Sequence, residues 1–222
     1  MKFCKKGAMF GLDARIALVV FATLSIISIK IIYEHFEEVK ALQKVTTLNN
    51  LEKAIERYVD DTSHFIPDTG SLLTNQVYLS NLISNQAGYP GWNGPYFGES
   101  GSGSAFNFKL FGYSGGGTRA DEFFTYRYSN ATWGGPAATA VNPASCNVNN
   151  CYIYLVLSDT LNPSHSAYED GLMLVEEYKK LDEYIDNSDG PGLGKVRMRE
   201  LATSAIVYIE VYPEFNYMTD PE

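Results

Sequence analysis

Histidine and cysteine, the residues that most often carry metal or nucleophilic chemistry, are scarce here: three of each in 222 residues. His35, His64 and His165 stand apart from one another, and none sits in a His-Glu-x-x-His or Cys/His spacing, which excludes the common zinc patterns. No Gly-Lys-Thr phosphate-binding loop is present. The stretch Gly112-Tyr113-Ser114-Gly115-Gly116 fits the nucleophile elbow formally, but that turn must lead from a strand into a helix. Gly117-Thr118-Arg119 and an aromatic run follow instead, so the segment reads as a loop and the chain as a non-enzyme. Basic residues are also short, 17 against 26 acids, for a formal charge of −9. A surface of that sign repels nucleic acid and anionic lipid headgroups, so neither is expected as a partner. Internal repeats at solenoid periods are missing as well.

The most telling shortage is local. Residues 12–66 contain no glycine and no proline, and residues 16–29 contain no charge. An uninterrupted helix of about 50 residues is therefore expected, roughly 75 Å long. Its first half is apolar all round. From Val39 onward the apolar residues fall at Leu42, Val45, Leu48, Leu51, Ile55, Tyr58 and Val59, a stripe with helical spacing. Asp60, Asp61, Thr62 and Ser63, with Pro67 beyond, end it. The charge-free stretch is shorter than the roughly 20 residues a span prefers, but Lys30 can snorkel and extend it to Tyr33. Asp13 lies at the front of this segment, where a carboxylate is costly without a partner.

Ahead of the apolar run come Lys2, Lys5 and Lys6, then Gly7-Ala8-Met9. In an ordinary secretory signal the small-residue cleavage site follows the apolar region, which is then discarded. Here it precedes that region, so a cut would retain the helix. A lipoprotein reading of Cys4 fails because no apolar region precedes it. The run Lys5-Lys6-Gly7-Ala8-Met9-Phe10-Gly11-Leu12-Asp13 resembles the class III leader of type IV pilins and of the pseudopilins of type II secretion. Two further segments carry the same resemblance: Gly91-Trp92-Asn93-Gly94-Pro95-Tyr96, similar to a Gly-Trp-x-Gly-Pro-Tyr motif after the long helix, and residues 181–190 followed by Gly194-Lys195-Val196-Arg197 near the C-terminus. Trp92 and Tyr96 have the chemistry to pin a loop onto a core while Gly94-Pro95 turns it.

The resemblance implies a leader (residues 1–8) removed by a prepilin peptidase that also methylates the new terminus at Met9. Residues 9–36 would form the membrane and filament-core half of the helix, 37–63 its amphipathic half, and 64–222 a globular α+β domain. That domain would be pilin-like: the long helix packed on a C-terminal antiparallel sheet with long loops. Asp13, fifth after a cut between Ala8 and Met9 where the family usually has glutamate, would neutralise the Met9 amine during assembly. The implied partners are other copies, other pilin-like subunits, the peptidase and an inner-membrane assembly platform. The implied location is the bacterial inner membrane, single-pass, with the soluble part in the periplasm, then a periplasmic or surface filament. Alternatives are a minor pilin with adhesive or ligand-binding loops, for which residues 98–117 and 133–150 suggest themselves, and a membrane-anchored periplasmic protein that never polymerises. With Cys4 lost in the leader, Cys146 and Cys151 are the two thiols left outside the cytoplasm and are expected to form a disulfide.

Residues 123–128, 152–157 and 205–212 are aromatic and β-branched, so three strands are expected. Residues 167–185 read as a helix with Leu172, Val175, Tyr178 and Leu181 on one face. At its end Asp182, Asp186 and Asp189 offer hard oxygen ligands beside a glycine-rich turn, a candidate calcium site of the kind some pseudopilins hold in C-terminal loops. They do not follow the EF-hand spacing, and helix capping and turn formation account for the same acids.

Overall fold

A computed structural model describes residues 9–67, 77–98, 110–111, 122–128, 133–143 and 151–215. The chain is α+β, with helix α1 (Met9–Thr62), strands β1 (Glu122–Tyr128) and β2 (Cys151–Thr160), helix α2 (Tyr168–Asp186), and strands β3 (Val196–Glu200) and β4 (Ser204–Phe215). It divides into two units, the first ending at Leu42 and the second beginning at Gln43. α1 supplies the described part of the first unit and the opening stretch of the second.

In the second unit the expected stripe is buried: Leu48, Leu51, Ile55 and Tyr58, joined by Ala54, enter the main core. The helix stops where local hydrogen bonding outcompetes it. Ser63 takes a left-handed conformation (φ 56°). The Thr62 hydroxyl donates to the Tyr58 carbonyl at 2.7 Å and accepts the His64 amide at 3.2 Å. The loop that follows is fastened to this end. Trp92 donates its indole N–H to the Asn81 carbonyl at 2.8 Å, and the Tyr96 hydroxyl donates to Asp61 at 2.9 Å. Tyr96 also meets Tyr58 edge-on, with centroids 5.8 Å apart. Gly91 is required there: at φ +83° a Cβ would lie 2.2 Å from the Asp61 carbonyl oxygen.

The sheet is antiparallel throughout, in the order β1-β2-β4-β3. Alternation along its central strands separates two cores. Ile153, Leu155 and Leu157 of β2 and Val207, Ile209 and Val211 of β4 face the main core, while Tyr154, Val156 and Tyr208 face a smaller aromatic cluster with Trp133. Because β2 is covered on both faces, its apolar run is nearly continuous.

Three expectations need correction. Four strands are present among the described residues, not three: β3 is Val-Arg-Met-Arg-Glu, too charged and too short to announce itself. Its Val196 and Met198 enter the main core, and the Arg197 guanidinium lies 4.7 Å from the Trp133 ring centroid on the other side. A cation over an aromatic face is well placed without water, which is why arginine fits this buried strand position. In α2 the buried line is Gly171, Leu174, Tyr178 and Leu181, whereas Leu172 faces outward, so the expected stripe is displaced at its start. Gly171 permits the packing, since a Cβ would stand 1.9 Å from the Thr160 carbonyl oxygen. Finally, residues 133–135 are not a display loop. Trp133 is buried, the Gly135 amide donates to Met198 O at 2.8 Å, and the Gly135 carbonyl accepts the Glu200 amide at 3.1 Å. This segment thereby covers the free edge of β3. The Ser114 loop, most of residues 98–117 and residues 144–150 lie outside the described residues.

Candidate functional site

The first site is the apolar half of α1. The helix is long and apolar enough to cross a membrane. Its large side chains are turned outward along its whole circumference: Leu18 is 70% exposed, Phe21 73% and Ile26 70%. Two hydroxyls within it are satisfied by their own helix. The Thr23 hydroxyl donates to Val20 O at 2.9 Å and the Ser25 hydroxyl to Phe21 O at 2.8 Å. Those bonds make the two hydroxyls compatible with an apolar environment. Asp13 differs from them: it is exposed, and among the described residues no group donates a hydrogen bond to it or pairs with it. Gly7 and Ala8 lie outside the described residues, and of Met9 only its place in the helix is described.

The second site is the acidic turn at the end of α2. Asn187 (φ 56°) and Ser188 (φ 61°) are both left-handed, and their amides donate to the Asp182 carbonyl, Ser188 at 3.1 Å. This is how a helix end caps its last carbonyls when the chain must reverse. The reversal brings Asp189 back beside Asp182 and Asp186, so that ligand oxygens of all three lie within 4.8 Å of one another. The last turn of α2 contains no basic residue to offset them or the negative end of the helix dipole. Asp186 Oδ2 accepts the Val196 amide at 2.6 Å, tying the cluster to β3. Asp182 is only 5% exposed, and its Oδ1 is buried without a hydrogen-bond partner. The Tyr178 hydroxyl, one turn earlier, faces this carboxylate and is itself buried without a well-formed hydrogen bond. Gly194 (φ +64°) completes the cradle, since a Cβ there would lie 2.5 Å from Asp186 Oδ2 and 2.6 Å from Asp189 Oδ2.

Electrostatics follow the geometry. Burial pushes the Asp182 carboxyl above the usual carboxylate range, and the charges of Asp189 and Asp186 push it further; the Gly190 amide and Tyr178 hydroxyl offset part of this. Asp186 is also raised, by burial first and by Asp189 after it, against the Val196 and Lys195 amides. Such a group of acids is stable with protons or with a cation. Three hard oxygen donors with one orphaned, buried oxygen fit calcium, which takes six to eight oxygen ligands in flexible geometry.

Cys151, the first residue of β2, is fully buried and disulfide-bonded. Cys4 and Cys146 both lie outside the described residues. Sequence reading found the three aspartates but not Tyr178 or the role of Gly194. Spacing carried part of the signal: Tyr178, Asp182 and Asp186 recur every four residues along one face of α2.

The chain matches no protein-family model, no curated protein and no solved structure.

Proposed function

We propose that this protein is the structural subunit of a pilin-like filament, of the kind built by type IV pili or type II secretion systems. The observation that carries the proposal is an outward-facing apolar helix segment with a carboxylate near its front, Asp13, that has no partner among the described residues. A plain anchor needs the apolar surface but gains nothing from that carboxylate, which lipid would penalise. A helix that packs against copies of itself has a use for both. Cleavage between Ala8 and Met9 would create a charged amine four residues before Asp13, and the two would pair within a copy or between neighbours. A misplaced carboxylate would stay unpaired in the low-dielectric bundle, so the pair selects register. The three sequence resemblances, at the leader, at residues 91–96 and at residues 181–197, support the same reading. Removal of the leader with Cys4 would leave Cys146 as the partner of Cys151 in the soluble part, closing a short loop ahead of β2.

The soluble unit takes a second element in this reading: calcium held by Asp182, Asp186 and Asp189. The orphaned Asp182 oxygen favours it over simple helix capping, because capping leaves that atom without a partner. Bound there, the ion would neutralise the acids and fasten the end of α2 to the turn leading into β3. Amino-terminal sequencing of the protein from cells with an active prepilin peptidase tests the proposal. A terminus at Met9 is expected, and retention of Met1 with the leader intact would overturn the class III reading.

A further inference from the structure

On the outer side of α1 within the second unit, charges are sorted by sign. Glu52, Glu56 and Asp60 recur every four residues and form one flank; Lys53 and Arg57, also four apart, form the flank beside it. All are exposed except the half-buried Glu52. The acidic flank faces β4, because Tyr212, raised first by its own burial, is raised further by Glu56, Asp60 and Glu52 together. Among the described residues neither cation closes onto an acid, although Glu56 and Asp60 lie three residues beyond Lys53 and Arg57. Elsewhere on the surface such pairs do close: Lys40 reaches Glu37 at 3.0 Å and Lys179 reaches Glu176 at 2.5 Å. In those two pairs the acid comes first, the more favourable order along a helix, whereas at Lys53 and Arg57 the base would come first.

The like-charge spacing works against the helix's own stability. Like charges four residues apart repel on a helix, and an acid in the last turn opposes the helix dipole. The last turn of α1 carries no base to compensate. The two flanks are, however, complementary to each other, and they sit side by side on one helix. With 17 bases against 26 acids, cations are the scarcer half of any contact between copies.

We propose that the Lys53/Arg57 flank of one copy docks on the Glu52/Glu56/Asp60 flank of the next. Every copy then offers one flank of each sign, so the contact is head-to-tail, and contacts of that kind extend into open filaments rather than closing as a two-fold pair. Exposed ion pairs add little bulk affinity. Their effect is to select the correct neighbour and register and to speed encounter between copies that otherwise repel. This inference rests on the filament reading and adds to it the surface through which the soluble parts recognise one another.

The experiment uses the full-length chain in membranes with its processing enzyme, and reads filaments by sedimentation. One variant reverses the basic flank (Lys53→Glu with Arg57→Glu); another reverses the acidic flank (Glu52→Lys, Glu56→Lys and Asp60→Lys). Each alone is expected to lower the sedimenting fraction about tenfold, as several small pair interactions turn from attraction to repulsion. Expressed together, the two variants are expected to restore sedimentation and to pellet in equal amounts, since each carries the flank the other lacks. Rescue by mixing cannot come from a misfolded chain. If both single reversals sediment as wild type does, or if the mixture stays as poor as its parts, the flanks are not the contact, and the filament reading stands without them. If the wild-type chain itself never sediments, the filament reading fails and takes this inference with it.

Discussion

Phe21 and Tyr58 are aromatic residues on the same helix, yet the first is 73% exposed and the second wholly buried. Up to Leu42, the described large apolar side chains of α1 face outward; beyond Gln43 the same helix buries a stripe in a core made with α2 and the sheet. Helix-forming sequence is therefore common to both regions, and what separates them is whether the chain supplies its own cover. In the second unit Leu155, Leu157 and Val207 are fully buried, and the edge of β3 is covered by residues 133–135. The first carries a surface of Ile, Leu, Val and Phe side chains that stand exposed among the described residues. An apolar surface of that extent belongs against lipid or against other copies.

Asp13→Ala makes the sharpest break between the two regions. It leaves the second unit untouched, so insertion, cleavage and thermal stability should match wild type. Filament yield should collapse, because a buried amine without its counter-charge costs about 3 to 5 kcal/mol. Asp13→Glu should be tolerated. Electron microscopy beside a melting curve of the solubilised protein checks both arms; normal filament yield from the alanine variant would remove the pairing role.

Leu155→Ala tests the opposite region. This side chain is fully buried at the centre of the sheet, and its truncation should destabilise the second unit by about 2 to 5 kcal/mol. The helix of the first unit should still insert. Chemical denaturation followed by tyrosine fluorescence gives the loss, and a membrane-fractionation assay gives the insertion. A loss below about 1 kcal/mol would mean that the core described for this unit is wrong.

How much of this was legible in the sequence depended on whether the deciding contact was local. α1 was readable because helices are stopped by glycine, proline and side chains that cap, and residues 12–59 have none of these in excess. β2 and β4 were readable because both cross the centre of the sheet. β3 was not, since its arginines make sense only once Trp133 arrives from 64 residues earlier to lie under Arg197. Trp133 itself looked like part of a display loop for the same reason. At the acidic turn, the three aspartates stood out by type. The need for glycine at 194 did not, because it comes from two carboxylates placed there by a helix end and a left-handed turn.

That turn yields a smaller, tunable effect. In the metal-free protein, Asp182 and Asp186 hold their protons more tightly in the folded chain than in the unfolded one. Their contribution is therefore most favourable at or below the ordinary carboxylate range and is lost as pH rises through their raised values. With a chelator present, the melting temperature should climb as pH falls from neutral toward that range. Calcium at a hundred times its dissociation constant should stabilise the neutral protein by about 2.7 kcal/mol. Asp182→Asn should weaken both responses without lowering the chelated protein's melting temperature. Identical melting curves with calcium and with chelator at neutral pH would return the three acids to capping and turn formation.

The central claim is that the uncovered half of α1 is covered by the same segment of other copies, and a photo-crosslinking residue at position 21 tests it most directly. In cells that process the protein, irradiation should give a ladder of multimers, with the crosslinks mapping to residues between 9 and 36 of a second copy. The same crosslinker at exposed Met173, on α2, should give no bond to that segment. Crosslinks from position 21 to lipid alone, with the chain remaining monomeric, would contradict the account and leave α1 as a membrane anchor.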